Sequence, residues 1–246
     1  MLISIFQAAV YVAYSFLAPI ITAGGSLLVA NVLSFVGIDL IRAAGLTSIF
    51  FLFNSIIVIA VFSKDIVWSE VGRFLPVSLI GSITGALFLV RISPKVLLFC
   101  MFCFSLYFIY QKLSGSAKSN AVEKPDSFLR EQTVALLSGM VQGAALPGGG
   151  FRNAYFLSRG FSISQMHGTT NAIGILLYVA KISTLFGASI LASGDFIGVL
   201  IAFPFLILSN ILLRRGLIKL PKKAADRITL AAMTLFSIYA AIVIVL

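Results

Sequence analysis

The stretch Gln142-Gly143-Ala144-Ala145-Leu146-Pro147-Gly148-Gly149-Gly150-Phe151-Arg152-Asn153 sets a proline and three glycines inside apolar sequence. Gly costs about 1 kcal/mol and Pro about 3 kcal/mol relative to Ala inside a helix, and Pro also removes a backbone donor. The stretch therefore reads as a break in a helix. At membrane depth, irregular backbone must be buried in protein or line a wet cavity, because lipid cannot satisfy it. Such breaks expose half-helix ends to substrates in transporters. Arg152 and Asn153 follow at once, adding a charge and a donor–acceptor pair.

The rest of the chain supports membrane depth. Of 246 residues, 60% are hydrophobic and 11% charged, against roughly half and a quarter in soluble domains. The aromatic residues are mostly Phe, which suits lipid-facing surfaces. A net charge of +10 would suggest nucleic acid in a soluble protein; here basic loops retained in the cytoplasm explain it, and no nucleic-acid partner is expected. Cys100 and Cys103 lie in an apolar run with no further ligand nearby, so they read as packing residues and no metal or cofactor is expected. The opening run lacks the basic start of a cleavable leader and is long enough to span.

Apolar runs of spanning length occur at about 3–22, 41–63, 73–91, 95–113, 132–147, 166–187, 196–213 and 228–246. Two shorter pieces, about 26–38 and 151–163, read as half-helices or re-entrant segments. Residues 114–131 are polar and read as a linker between a first repeat, 1–113, and a second, 132–246. In the first repeat Gly24-Gly25 leads to Gly37 and then Gly45-Leu46-Thr47-Ser48. In the second, Gly148-Gly149-Gly150 leads to Gly160 and then Gly168-Thr169-Thr170-Asn171, with spacings that differ by two residues. Pro76 and Pro204 also recur in order. The expected fold is an all-α polytopic membrane protein of about eight transmembrane helices in two pseudo-symmetric halves, each with a glycine-broken or re-entrant helix.

Loop 214–227 is rich in Lys and Arg and reads as cytoplasmic. Eight crossings would then put the linker outside despite Lys118, Lys124 and Arg130, and would make the repeats parallel; a short piece that crosses would change both conclusions.

The order of glycine cluster, short apolar piece, glycine and small polar cluster, repeated about a polar linker, resembles the TauE/SafE sulfite-exporter family, the TSUP permeases. Its clearest parts are Leu137-Ser138-Gly139, Gly148-Gly149-Gly150-Phe151 and Gly168-Thr169-Thr170-Asn171. The chain departs from the pattern at Gly24-Gly25, a reduced cluster, and at Leu146-Pro147. The resemblance implies a bacterial inner-membrane, multi-pass permease for sulfite, an organosulfonate or a related anion.

The residues support an anion site independently. A broken helix frees N–H groups at the start of its second arm, where the macrodipole is positive, and glycines allow close approach. Arg152 would fork onto two oxyanion oxygens; as an alternative it snorkels to the interface. Lys181, inside an apolar run, is either a counter-charge for substrate or a snorkelling residue. Thr47, Ser48, Thr170 and Asn171 read as N-caps or substrate donors where helices start, and His167 as a coupling candidate or a plain interfacial residue. Asn54 and Gln142 read as interhelical hydrogen bonders, Asp39 and Arg42 as a surface pair, and Trp68 and Tyr110 as interface anchors.

With one His and no acid deep in a span, an enzyme is not expected. The reading is a secondary transporter without a Walker-type loop; a structural or assembly subunit is the alternative, and a homodimer is left open.

Overall fold

The computed structural model describes residues 9–13, 15, 29–30, 32–34, 37–113, 128–144, 148–214, 230–231, 234, 237–238 and 240–242. Gly24, Gly25, Leu146, Pro147, most of the linker and the basic segment beyond Arg214 lie outside them. The described elements are helices α1 (Leu40–Phe62), α2 (Trp68–Arg91), α3 (Pro94–Leu113), α4 (Phe128–Gly143), α5 (Gly148–Ser158), α6 (Ile163–Gly187) and α7 (Ile197–Arg214). Short 3-10 turns, Ser63–Asp65 and Ser193–Phe196, join α1 to α2 and precede α7. Among the described residues, four segments are long and apolar enough to cross a membrane: Leu40–Asp65, Trp68–Arg91, Ile163–Gly187 and Ser193–Leu212. The chain is an all-α polytopic membrane protein.

Two equivalent turns launch the two central helices. At the first, Gly37 has φ +92°; Gly37 N–H donates to Ser34 O and Ile38 N–H to Leu33 O. At the second, Gly160 has φ +80°, Gly160 N–H donates to Leu157 O, and Phe161 N–H to Phe156 O. Both are Schellman-type ends, which favour glycine at the left-handed position. A polar cap follows each. Asp39 Oδ1 accepts from the N–H groups of Ile41 and Arg42, and Ser162 and Gln165 form a reciprocal capping box.

These caps correct one expectation. Thr47, Ser48, Thr170 and Asn171 lie inside helices rather than at their starts. Gly45 and Gly168 are packing positions. A Cβ at Gly45 would come within 3.0 Å of Leu185 and Leu191, and one at Gly168 within 3.0 Å of Ile66. Each central helix thus presses a glycine against the connection that follows the other. Asp39 does not pair with Arg42 either: it is committed to the cap, and Arg42 Nη2 reaches Asp195 Oδ1 at 2.8 Å.

Helices α1 and α6 are antiparallel. Leu185 lies by Gly45 near the start of α1, the Phe51 and Tyr178 rings stack farther along, and Ser55 Oγ donates to Asn171 Oδ1 at 2.9 Å. Phe62 and His167 face each other at the other end. These helices follow similar turns and run in opposite directions, as they would in inverted repeats; the sequence leaves parallel and inverted orders both open.

A difference from the sequence reading arises at α4, where a full crossing was expected at 132–147. Helix α4 has 16 residues, about 24 Å at 1.5 Å per residue; it starts at Phe128, inside the segment read as linker. Helix α5, with 11 residues, runs back along it. Arg152 meets Gln142 at one end of the hairpin. At the other, Arg73 of α2 pairs with Glu131 of α4, and Arg159, just past α5, pairs with Glu70 of α2. The hairpin enters and leaves at the same end of the bundle. Gly148–Gly150 form the first turn of α5, and residues 145–147 before them lie outside the described ones.

Helices α2 and α4 pack in parallel through four glycines. A Cβ on Gly81 or Gly85 would strike the α4 backbone between Leu136 and Ala144, and one on Gly139 or Gly143 would strike Ser78 or Ser82. Both helices carry the small-xxx-small spacing that lets backbones touch. The hairpin's first arm is therefore fixed to a spanning helix.

Candidate functional site

The α4–α5 hairpin brings Arg152 into the protein interior. Arg152 is 1% exposed and is among the largest fully buried side chains described. Its Nη2 donates to Gln142 Oε1 on α4, whereas its Nε and Nη1 have no hydrogen-bond partner among the described residues. Lys181 of α6 is also buried, and its Nζ lies 3.4 Å from the main-chain oxygen of Gln142. One residue thus touches two cations, one through its amide and the other through its carbonyl. Gln142 Nε2 is itself buried without a partner.

The remaining wall comes from α5 and α6. A Cβ built on Gly149 would lie 3.9 Å from Arg152 Nη2 and 4.0 Å from Thr170 Cγ2, which sets the first turn of α5 beside both. Thr170 is buried and its Oγ1 is unpartnered. Tyr178 lies within electrostatic reach of the guanidinium. Gly148 and Gly150 share the same first helical turn, whose N–H groups lack intrahelical acceptors. Asn153 is half-buried on the adjoining face of α5.

The other residues expected here are engaged elsewhere. The Thr47 and Ser48 hydroxyls donate to Ala43 O and Ala44 O one turn back. Asn171 accepts from Ser55 and donates to His167 O, so it joins two helices. The His167 ring stacks against Phe62. Neither Arg152 nor Lys181 snorkels, since both are buried. Asn54 does bond between helices, accepting from Asn210, and Trp68 and Tyr110 are exposed as interface anchors would be.

Two features escaped the sequence reading. Gln142 was read only as a helix-to-helix hydrogen bonder, yet it organises the cation pair. The other is the ion network at the open end of the hairpin. Glu131 and Glu70 are buried, with Arg73 reaching both and Arg159 lying 2.8 Å from Glu70. The Arg159 guanidinium also stacks over the Tyr155 ring. Glu70 and Arg73 at helix spacing were the available signal.

Every buried carboxylate named here has an arginine partner: Glu70 with Arg159 and Arg73, Glu131 with Arg73, and Asp195 with Arg42. No ion pair involving Arg152 or Lys181 occurs among the described residues. Buried charges are ordinarily paired, so the arrangement is suited to accept negative charge. Neither a curated protein nor a solved structure matches the chain. A family model, Sulfite exporter TauE/SafE, matches residues 7–240, nearly the whole chain, and the chain belongs to that family.

Proposed function

We propose that this protein is a secondary transporter of a small anion, sulfite or an organosulfonate, which binds at the tip of the α4–α5 hairpin between Arg152, Lys181, Gln142, Thr170 and the first turn of α5. The observation that carries the reading is the fully buried Arg152, two of whose three guanidinium nitrogens have no hydrogen-bond partner among the described residues. An oxyanion would supply the missing acceptors as charge-assisted hydrogen bonds. The N–H groups of Gly148–Gly150 would add helix-end donors.

Charge supports an orientation. The chain leaves α3 and enters α4 at the same end of the bundle, where α7 also finishes. Lys64, Arg73, Lys112, Arg130, Arg159 and Arg214 belong to that end, against Arg42, Arg91 and Lys95 at the other. The basic segments following Leu113 and Arg214 start from it as well. We assign it to the cytoplasm, which removes the conflict over the linker. The hairpin then opens from the cytoplasmic side, with the cations at its inner tip.

The test is flux of labelled sulfite in proteoliposomes, with sulfonates, carboxylates and chloride as competitors and with a pH gradient applied or collapsed. Saturable flux competed by sulfonates, lost in Arg152→Ala and Lys181→Ala while both variants stay folded, is the expected result. Full activity in both variants would remove the site assignment. No flux of any panel member from folded protein would favour a structural subunit instead.

A further inference from the structure

Resting on that reading, we propose that the site selects a doubly charged oxyanion over a singly charged one, that the charges of Arg152 and Lys181 set this preference, and that Gln142 preserves it by joining them as a neutral residue. The argument is a charge count around a single side chain. Arg152 and Lys181 both contact Gln142, the first at its side-chain oxygen and the second at its main-chain oxygen. All three residues are buried. No carboxylate pairs with either cation among the described residues, because the buried acids are held by other arginines. With both side chains protonated, the site carries two positive charges and no internal compensation. A dianion neutralises it; a monoanion leaves one buried charge uncompensated, which a low-dielectric interior opposes.

The neutral amide is what preserves that charge. A glutamate would have nearly the same shape, would still accept from Arg152, and would cancel one of the two charges without any ligand. Gln142 also offers a buried, unpartnered Nε2, a donor that an additional anion oxygen can take and that a glutamate would lack. Its position is fixed from behind: the adjoining Gly143 packs against Ser82 and Ala86 of α2. The side chain is thus presented to the two cations from a backbone locked to a spanning helix.

The experiment compares two probes of similar sulfur–oxygen geometry and fixed charge, sulfate and methanesulfonate. Each is measured as a competitor of sulfite flux and as a thermal stabiliser of the purified full chain. Wild type is expected to favour sulfate by about tenfold or more. Gln142→Glu should lower that ratio by about tenfold, to parity or beyond, while methanesulfonate still binds. Lys181→Gln removes one charge by another route and should move the ratio the same way. Gln142→Met, which deletes the hydrogen bonds but adds no charge, should weaken both probes and leave their ratio near wild type. A purely structural role for Gln142 would not change the valence preference. An unchanged ratio in both Gln142→Glu and Lys181→Gln overturns the proposal while leaving the anion site standing; if Gln142→Glu does not fold, Lys181→Gln decides alone. Wild type that binds neither probe, with a normal melting transition, overturns the anion site and this inference together.

Discussion

Helices α1 and α6, each with the turn before it, use similar local devices, and what surrounds them differs. Gly37 and Gly160 end equivalent helices with the same pair of hydrogen bonds, Gly45 and Gly168 press on equivalent connections, and Ser82 and Asn210 each bond a central helix of the opposite half. Yet Arg152 stands as far before Gly160 as Val29 stands before Gly37, and Lys181 as far after Ser162 as Val58 after Asp39. Val29 and Val58 are buried. Both cations therefore lie around the Gly160 turn and α6, while the positions at the same offsets around the Gly37 turn and α1 hold aliphatic side chains. Symmetry of the scaffold and asymmetry of the site answer to separate demands. Paired turns and glycines let two antiparallel halves interlock; a ligand needs only one charged tip.

The largest expected effect comes from copying one half into the other where their packing differs. Gly81 and Gly85 follow Pro76 at the intervals at which Ser209 and Leu213 follow Pro204. The α2–α4 crossing has no room for such side chains, because a Cβ at Gly85 already enters the backbone near Met140 and Ala144. Gly85→Leu should cost about 3 kcal/mol or more, seen as a lower melting temperature and aggregation in detergent. A monodisperse protein of wild-type stability would show that α2 and α4 are not in backbone contact.

Copying the site positions instead should separate function from stability. Arg152→Val reproduces Val29 and should reduce sulfite flux about a hundredfold, since loss of a buried charge contact costs roughly 2–5 kcal/mol. Its melting temperature should hold or rise, because an incompletely satisfied buried cation is replaced by an apolar group. A variant that loses flux only by unfolding would show that Arg152 is structural.

The ends of the bundle differ as well. Arg42 pairs with one buried carboxylate, Asp195, at one end. At the other, Arg73 joins Glu70 and Glu131, the latter fully buried. Arg73→Ala removes a contact from both buried glutamates, Glu70 and Glu131, and should destabilise by about 1–3 kcal/mol, whereas Arg42→Ala leaves Asp195 its bond from the Ala192 N–H and should cost about 0–1 kcal/mol. Adding Glu131→Gln to Arg73→Ala should recover part of the loss. Equal costs at the two ends, read from thermal or urea unfolding, would dissolve this distinction.

Much of this was legible in residue types. Hydropathy set the helices, and the clustered Gly-Gly-Gly-Phe-Arg marked the start of α5. What did not follow was direction. Composition cannot tell an apolar helix that crosses from one that turns back, and α4 does the latter because α5 returns beside it. Nor does spacing show where a helix begins: Thr47, Ser48, Thr170 and Asn171 read as lying where helices start, although Asp39 and Ser162 supply the caps and the four lie inside α1 and α6. Gln142 looked ordinary because its role depends on two cations that reach it from different helices.

The smallest effect bears most directly on the pseudo-two-fold relation. Ser82 Oγ donates to Leu177 O at 3.1 Å, and Asn210 Nδ2 to Asn54 Oδ1 at the same distance. Leu177 and Asn54 occupy equivalent places on α6 and α1, as Ser82 and Asn210 do on α2 and α7. If the halves are mechanical equivalents, Ser82→Ala and Asn54→Leu should destabilise by similar small amounts, about 0.6 kcal/mol each, and the double variant should lose their sum, because the bonds share no partner. Additive losses in thermal unfolding would mark two copies of one device. A marked excess in the double variant would instead mean that the bonds act through the shared α1–α6 contact, so that the two halves respond as a single unit.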